Sequence, residues 1–190
     1  MAGSPWPGGF GVTRDRALKR AAEMDQRTHL EIAARSLPSP YKMFSQIRAY
    51  LLRRCEDMKT RNNSIQLLKF TQSKGVASIV LGPGFDKGLT PQHFHFDSGA
   101  RLSFALTLRE SDGGSQLVGF RYHYQLPDQA PASASPGFLR FDLNEAAHAD
   151  ALSEPRCHLH PGLEDVRLPI SLHDPFEVLD RIFFVLERSV

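Results

Sequence analysis

Five residues in the second half of the chain have the types and spacing for acid–base chemistry on a phosphodiester: His123, Arg140, Asp142, His158 and His160. A histidine near its ordinary pKa exchanges protons close to neutrality. An arginine stabilises charge developing on a phosphorane. A carboxylate such as Asp142 can hold the imidazole of His123 or His160 in one tautomer. With RNA as substrate the 2′-hydroxyl supplies the nucleophile, so neither a covalent intermediate nor a metal or other cofactor is required. Arg121, His148 and Arg167 lie in the same region as candidate substrate contacts.

Strand alternation explains how these residues could meet. If Val118, Phe120, Tyr122 and Tyr124 face a core, then Arg121, His123 and Gln125 face away from it. In the next segment Phe138, Arg140 and Asp142 share a face, opposite Leu139, Phe141 and Leu143. As neighbouring strands, the two segments would line one open surface with Arg121, His123, Arg140 and Asp142. His158 and His160, two residues apart, share a strand face of their own, with Glu164, Asp165 and Arg167 following. On this reading His160→Ala abolishes activity without lowering thermal stability.

Metal binding is a second chemistry open to the same residues. HFH at His93/His95 and HLH at His158/His160 each present two imidazoles on one strand face, and Asp97, Asp142 or Glu164 could complete a ligand set. The bland alternative is that these histidines make structural hydrogen bonds, which suits His29 and His173 best. Phosphate-binding GxxxxGK[ST], dinucleotide-binding GxGxxG, GxSxG and HExxH are all absent. Cys157 beside His158 is no thiol–imidazole pair, because adjacent strand residues point to opposite faces.

The elements that must position these residues follow from periodicity. Residues 1–12 are rich in Gly and Pro and read as a mobile tail. Good helix formers fill 13–35, and SLPSP at 36–40 breaks that helix. A second helix over about 41–59 carries Met43, Phe44, Ile47, Tyr50, Leu51 and Arg54 at amphipathic spacing, and Arg48, Arg53, Arg54, Lys59 and Arg61 give it a basic side. Strands are expected at Ile65–Thr71, Val76–Leu81, His93–Phe96, Arg101–Arg109, Gln116–Gln125 and Gly137–Leu143, divided by turn signals such as SKG, DSG and SDGG. Asp174 caps a closing helix over Asp174–Arg188, with Phe176, Leu179, Ile182, Phe183 and Leu186 inward. The fold class is α+β: an antiparallel meander flanked by two N-terminal helices and one C-terminal helix. Residues 13–190 read as one domain, with 13–62 a helical extension and 63–190 the sheet plus closing helix.

Composition narrows the function classes only modestly. A length of 190 residues suits one domain, and 41% hydrophobic with 23% charged residues is that of a globular protein. A net charge of +2 is compatible with a nucleic-acid substrate without arguing for one. Cys55 and Cys157 form no CxxC, which favours a reducing compartment. No apolar run approaches the ~20 residues of a membrane helix, and the N-terminus lacks a signal-peptide pattern. The expectation is a cytoplasmic protein without membrane contact.

The succession YHYQ, RFD, a histidine, HLH, EDVRLP and then DPFEVLDRIFFVL resembles TumE-type toxins of bacterial toxin–antitoxin pairs. The matching positions are His123, Arg140, Asp142, His148, His158 and His160. The resemblance covers little more than a third of the chain, which departs from it by two N-terminal helices and the PDQAPASASPG insertion. It implies a partner antitoxin, often a helix-turn-helix protein, and RNA as a target.

These observations lead to a toxin-like or phage-defence protein acting on RNA as a metal-independent endoribonuclease. A rival of another class is a non-catalytic subunit that docks an antitoxin or larger defence complex through residues 13–61 and binds nucleic acid with its histidine face. A metal-dependent hydrolase is the third reading.

Overall fold

In the computed structural model, the described residues are 35–57, 63–82, 93–127, 137–146, 155–171 and 174–187, with scattered positions between 16 and 32. Those scattered positions are helical (α1). Next come α2 (Pro40–Asp57), a 3-10 turn (Asn63–Leu67), β1 (Lys69–Ser73), β2 (Val76–Leu81), β3 (Phe94–His95) and β4 (Arg101–Ser111). The chain continues with β5 (Gly114–Gln125), β6 (Phe138–Leu143), β7 (Cys157–His160), β8 (Leu168–Pro169) and α3 (Pro175–Asp180), which runs into a π-helical turn (Arg181–Leu186). The strands form one antiparallel sheet of order β1-β2-β4-β5-β6-β7-β8, with β3 paired to β4. The fold is α+β, an antiparallel meander with two helices before it and one after.

Short turns fix the meander's register. Lys74 and Gly75 both take positive φ between β1 and β2, the backbone that a two-residue hairpin turn requires. Asp112 and Gly113 join β4 to β5, the longest strands, whose pairing runs from Arg101↔Gln125 to Ser111↔Gly114. One irregularity interrupts it: Thr107 opposes Gly119 while Leu108 opposes Leu117, so Val118 is an extra residue, a β-bulge. The core row of β5 is therefore Leu117, Phe120, Tyr122 and Tyr124, all buried, whereas Val118 is only half-buried. Simple alternation had put Val118 in that row, and the bulge overturns it. Leu102, Phe104, Leu106 and Leu108 of β4 face the core as expected.

Three other boundaries differ from the sequence expectation. Residues 63–67 coil into a 3-10 turn and the first strand begins at Lys69, not Ile65. The HFH segment pairs only over Phe94–His95. Two short strands, β7 and β8, extend the sheet beyond β6.

The helices close the core face. Met43, Ile47 and Leu51 of α2 are at most 1% exposed and join the same core as the sheet residues. Each such side chain contributes ~1.5–3 kcal/mol by leaving water. After SLPSP breaks the first helix, Leu37 exchanges both backbone hydrogen bonds with Ser115, and the Ser115 hydroxyl donates to Pro38 O at 2.7 Å. Asp174 caps α3 as its sequence predicts, accepting from Phe176 N at 2.8 Å. Tyrosine hydroxyls fasten the closing helix: Tyr50 donates to Asp180, Tyr122 to Pro175 O and Tyr124 to Glu187. Desolvation and the acidic partners raise the pKa of Tyr50 and Tyr124. No helix among the described residues is long and apolar enough to cross a membrane.

Candidate functional site

Antiparallel register builds a two-row array on the face of the sheet opposite the core. In one row Arg121, Asp142 and His158 stand side by side on β5, β6 and β7. In the other His123, Arg140 and His160 do the same. Six side chains separated in sequence by up to 39 positions thus become cross-strand neighbours, within the ~4.5–5.5 Å Cβ spacing of directly opposed residues. The core-facing partners of the same strands, Tyr122, Phe141 and Leu159, hold this register, because a slip of one residue would turn the charged row inward.

Asp142 is the hub. Its carboxylate accepts from Arg121 Nε at 3.1 Å and from Arg140 Nε at 2.9 Å. His160 Nε2 lies 3.4 Å and His158 Nε2 3.8 Å from its Oδ2. Arg140 reaches further, donating through one terminal nitrogen to His160 Nε2 at 2.9 Å and through the other to Glu164 at 2.5 Å. A guanidinium can only donate, so His160 Nε2 is the acceptor and its proton sits on Nδ1, which faces Leu163 O at 3.4 Å. The Nδ1 of His158 donates to Pro155 O at 2.6 Å.

The expected open surface is largely closed at this hub. Asp142, His158 and His160 are 2%, 1% and 0% exposed, and the turn carrying Leu163 and Glu164 lies against them. Arg140 is nearly buried, while the side chain of Arg121 remains 46% exposed. Burial lowers the pKa of His158 and outweighs the raising effect of Pro155 O and Asp142. Burial opposes the charged form of Glu164 as well, but the hydrogen bond and charge of Arg140 bring its pKa below the ordinary value. His158 and His160 therefore lack the access a proton shuttle to substrate needs.

His123 differs from both. It is half-buried, its ring meets Phe138 edge-on at 5.1 Å, and its Nε2 is buried without a hydrogen-bond partner among the described residues. Desolvation, then the charge of Arg140, lowers its pKa against the raising effect of Glu164 and Asp142. The charge of His93 also bears on His123. That proximity is not legible in the sequence, where His93 stands only as half of an HFH pair. The brief β3–β4 pairing sets His95 opposite Arg101, which in turn opposes Gln125 on β5. His93 is itself lowered in pKa, by burial first and then by Arg101 and His95.

Of the other expected residues, Arg167 lies on the face of His158 by alternation from Pro169, and its charge lowers the His158 pKa. Its Nε is buried without a hydrogen-bond partner among the described residues. His148, like His29 and His173, lies outside the described residues. The HFH and HLH pairs do not combine. Among the described residues the potential metal-ligating group is Asp142, His158 and His160, whose ligand atoms all lie within 4.8 Å of one another. Comparison with protein-family models, with curated proteins and with solved structures finds no match for this chain.

Proposed function

We propose that this is a toxin-like or phage-defence protein that cleaves RNA, with His123 as general base and Arg121 and Arg140 as phosphate contacts. The observation that carries this reading is the placement of His123. It stands opposite Arg140 and two positions along β5 from Arg121, and its ring, unlike those of His158 and His160, is only half-buried. Its Nε2 is itself buried and has no partner among the described residues, so a 2′-hydroxyl must enter the face to reach it. A buried polar atom without a partner costs stability, and such atoms call for a functional explanation. A lowered pKa keeps His123 neutral at physiological pH, the form that accepts a proton from a 2′-hydroxyl. His93, the imidazole whose charge bears on His123, is also lowered in pKa and neutral at physiological pH, so the leaving 5′-oxygen takes its proton from water. Asp142 and His160 are positioning residues here: each is bonded to the guanidinium of Arg140, the residue across from His123, with His158 beside Asp142.

The test is incubation of labelled RNA with the purified chain, followed by analysis of the product ends. The expected product ends in a 2′,3′-cyclic phosphate, the mark of 2′-hydroxyl attack. His123→Ala is expected to lower the rate by ~10²–10⁴-fold, the usual contribution of a general base. Its thermal stability should change little, since removing a buried nitrogen without a partner among the described residues offsets the lost contact of the ring with Phe138. Cleavage by His123→Ala at the wild-type rate would overturn the assignment. RNA binding without cleavage would favour the non-catalytic subunit instead.

A further inference from the structure

The geometry points to a divalent transition-metal site formed by Asp142, His158 and His160, with zinc the ion that best fits its ligands. Both imidazoles are already set for coordination. Pro155 O takes the Nδ1 proton of His158, and Leu163 O faces the Nδ1 of His160. A histidine whose Nδ1 proton is held by a backbone carbonyl presents the Nε2 lone pair to a metal. Both Nε2 atoms lie near the same oxygen, Asp142 Oδ2, at 3.8 and 3.4 Å. Bonds of ~2.0–2.1 Å in a tetrahedral zinc site put neighbouring ligand atoms ~3.3–3.4 Å apart, so the two edges at Asp142 are near that spacing and the ligand atoms, all within 4.8 Å of one another, must draw together to close on an ion. Two imidazoles and one carboxylate suit zinc and its transition-metal neighbours better than the oxygen-seeking magnesium or calcium.

The competitor for this position is visible. Arg140 donates to Asp142 Oδ2 and to His160 Nε2, both at 2.9 Å, and so engages two of the three ligand atoms. Metal binding requires the guanidinium to withdraw from them, and Glu164, exposed and already bonded to Arg140, can hold it outside. The site thus has three protein ligands, a fourth position for water, and one cation to displace. His93 and His95 take no part in it. The inference shares Asp142, His158, His160 and Arg140 with the RNA reading, and a bound ion would release Arg140 from its place beside His123. Its readout is metal content and not cleavage, so the two can fail separately.

The experiment is titration of the chelator-treated full chain with Co²⁺, following the visible d–d absorption, and then with Zn²⁺ to displace it. One Co²⁺ per chain is expected, with the band bleached by Zn²⁺. Removing the competing cation in Arg140→Gln should tighten binding by at least ~10-fold, since a unit charge close to the ion is repulsive. His158→Ala and His160→Ala should each weaken binding by at least ~100-fold, more than an outer partner's loss costs. His95→Ala should bind as the wild type does. Because variants within this buried cluster can fail for reasons of folding, the wild-type titration carries the test, and Arg140→Gln is read beside its own thermal melt. Absence of stoichiometric Co²⁺ binding by both the wild type and Arg140→Gln would overturn the site. Loss of binding in His95→Ala would overturn it equally and move the metal to the HFH pair.

Discussion

At the scale of single residues, Asp142 separates structural from chemical importance. It is 2% exposed and carries two arginine ion pairs, so its charge is offset within the fold. Removing one member of a fully buried ion pair costs ~3–5 kcal/mol, because the partner remains desolvated and unpaired. Arg121 is half-exposed and Arg140 keeps Glu164, so Asp142→Ala is expected to destabilise the protein by less than that range in urea unfolding. Asp142→Asn, which keeps shape and one acceptor, should cost less. Equal unfolding midpoints for wild type and Asp142→Ala would show that the hub contributes nothing to the fold. The same reasoning revises the expectation for His160. Its burial and its bond to Arg140 mean that His160→Ala should lower thermal stability, so activity lost in that variant would not identify a catalytic group. His123, half-buried with an unpartnered Nε2, is the informative substitution.

At the scale of elements, the β-bulge in β5 decides which side chains reach the site. Val118 is accommodated as an extra residue, so Leu117 and Phe120 both enter the core although three positions separate them. From Phe120 onward alternation resumes and puts Arg121 and His123 on the polar face. Gly119, beside the extra residue, is hemmed in by β6: a Cβ there would lie 2.7 Å from Leu143 O, on the strand that carries Arg140 and Asp142. Neither backbone can yield without disturbing the β5–β6 ladder. Gly119→Ala is expected to cost ~1–3 kcal/mol, the range for overpacking, and to loosen the array. Thermal melts and amide exchange on β5 and β6 would check this, and wild-type protection in the variant would show that the strands can part without penalty.

At the scale of the whole molecule, the sheet segregates its two faces. One carries the core, closed by α2 and the C-terminal helix. The other carries histidines whose protonation is opposed by the fold. For His93 and His123 the folded pKa lies below the ordinary value, mainly through burial. The unfolded chain therefore binds protons more readily. The stability they contribute is complete above the unfolded histidine value of ~6.5 and is lost as pH falls through it toward the folded values. Glu187, raised by burial, acts with the opposite sign, losing stability as pH rises from ~4.3. In metal-free protein the melting temperature should decline as pH drops from ~7 to ~5. A His93→Gln/His123→Gln double variant should flatten that decline, and an unchanged slope in the variant would assign it elsewhere.

Much of the architecture was determined by sequence alone, because it rests on local periodicity and turn chemistry. The amphipathic spacing of Met43, Ile47 and Leu51, the Asp174–Pro175 cap and the SKG and SDGG turns each act within a few residues. The pairing of alternating segments then follows from chain connectivity, which is why Arg121, His123, Arg140 and Asp142 could be placed on one face in advance. Three matters belonged to tertiary structure. The bulge at Val118 depends on how β4 and β5 twist past one another, which no local pattern encodes. The strands β7 and β8 are too short to declare themselves by alternation, so the docking of His158 and His160 against Asp142 needed the assembled sheet. Burial of that trio, and with it the difference between a proton shuttle and a ligand set, depends on the 161–167 turn folding back over the face. Residue type and spacing supply the candidates for chemistry, but solvent access and the direction of each lone pair are properties of packing.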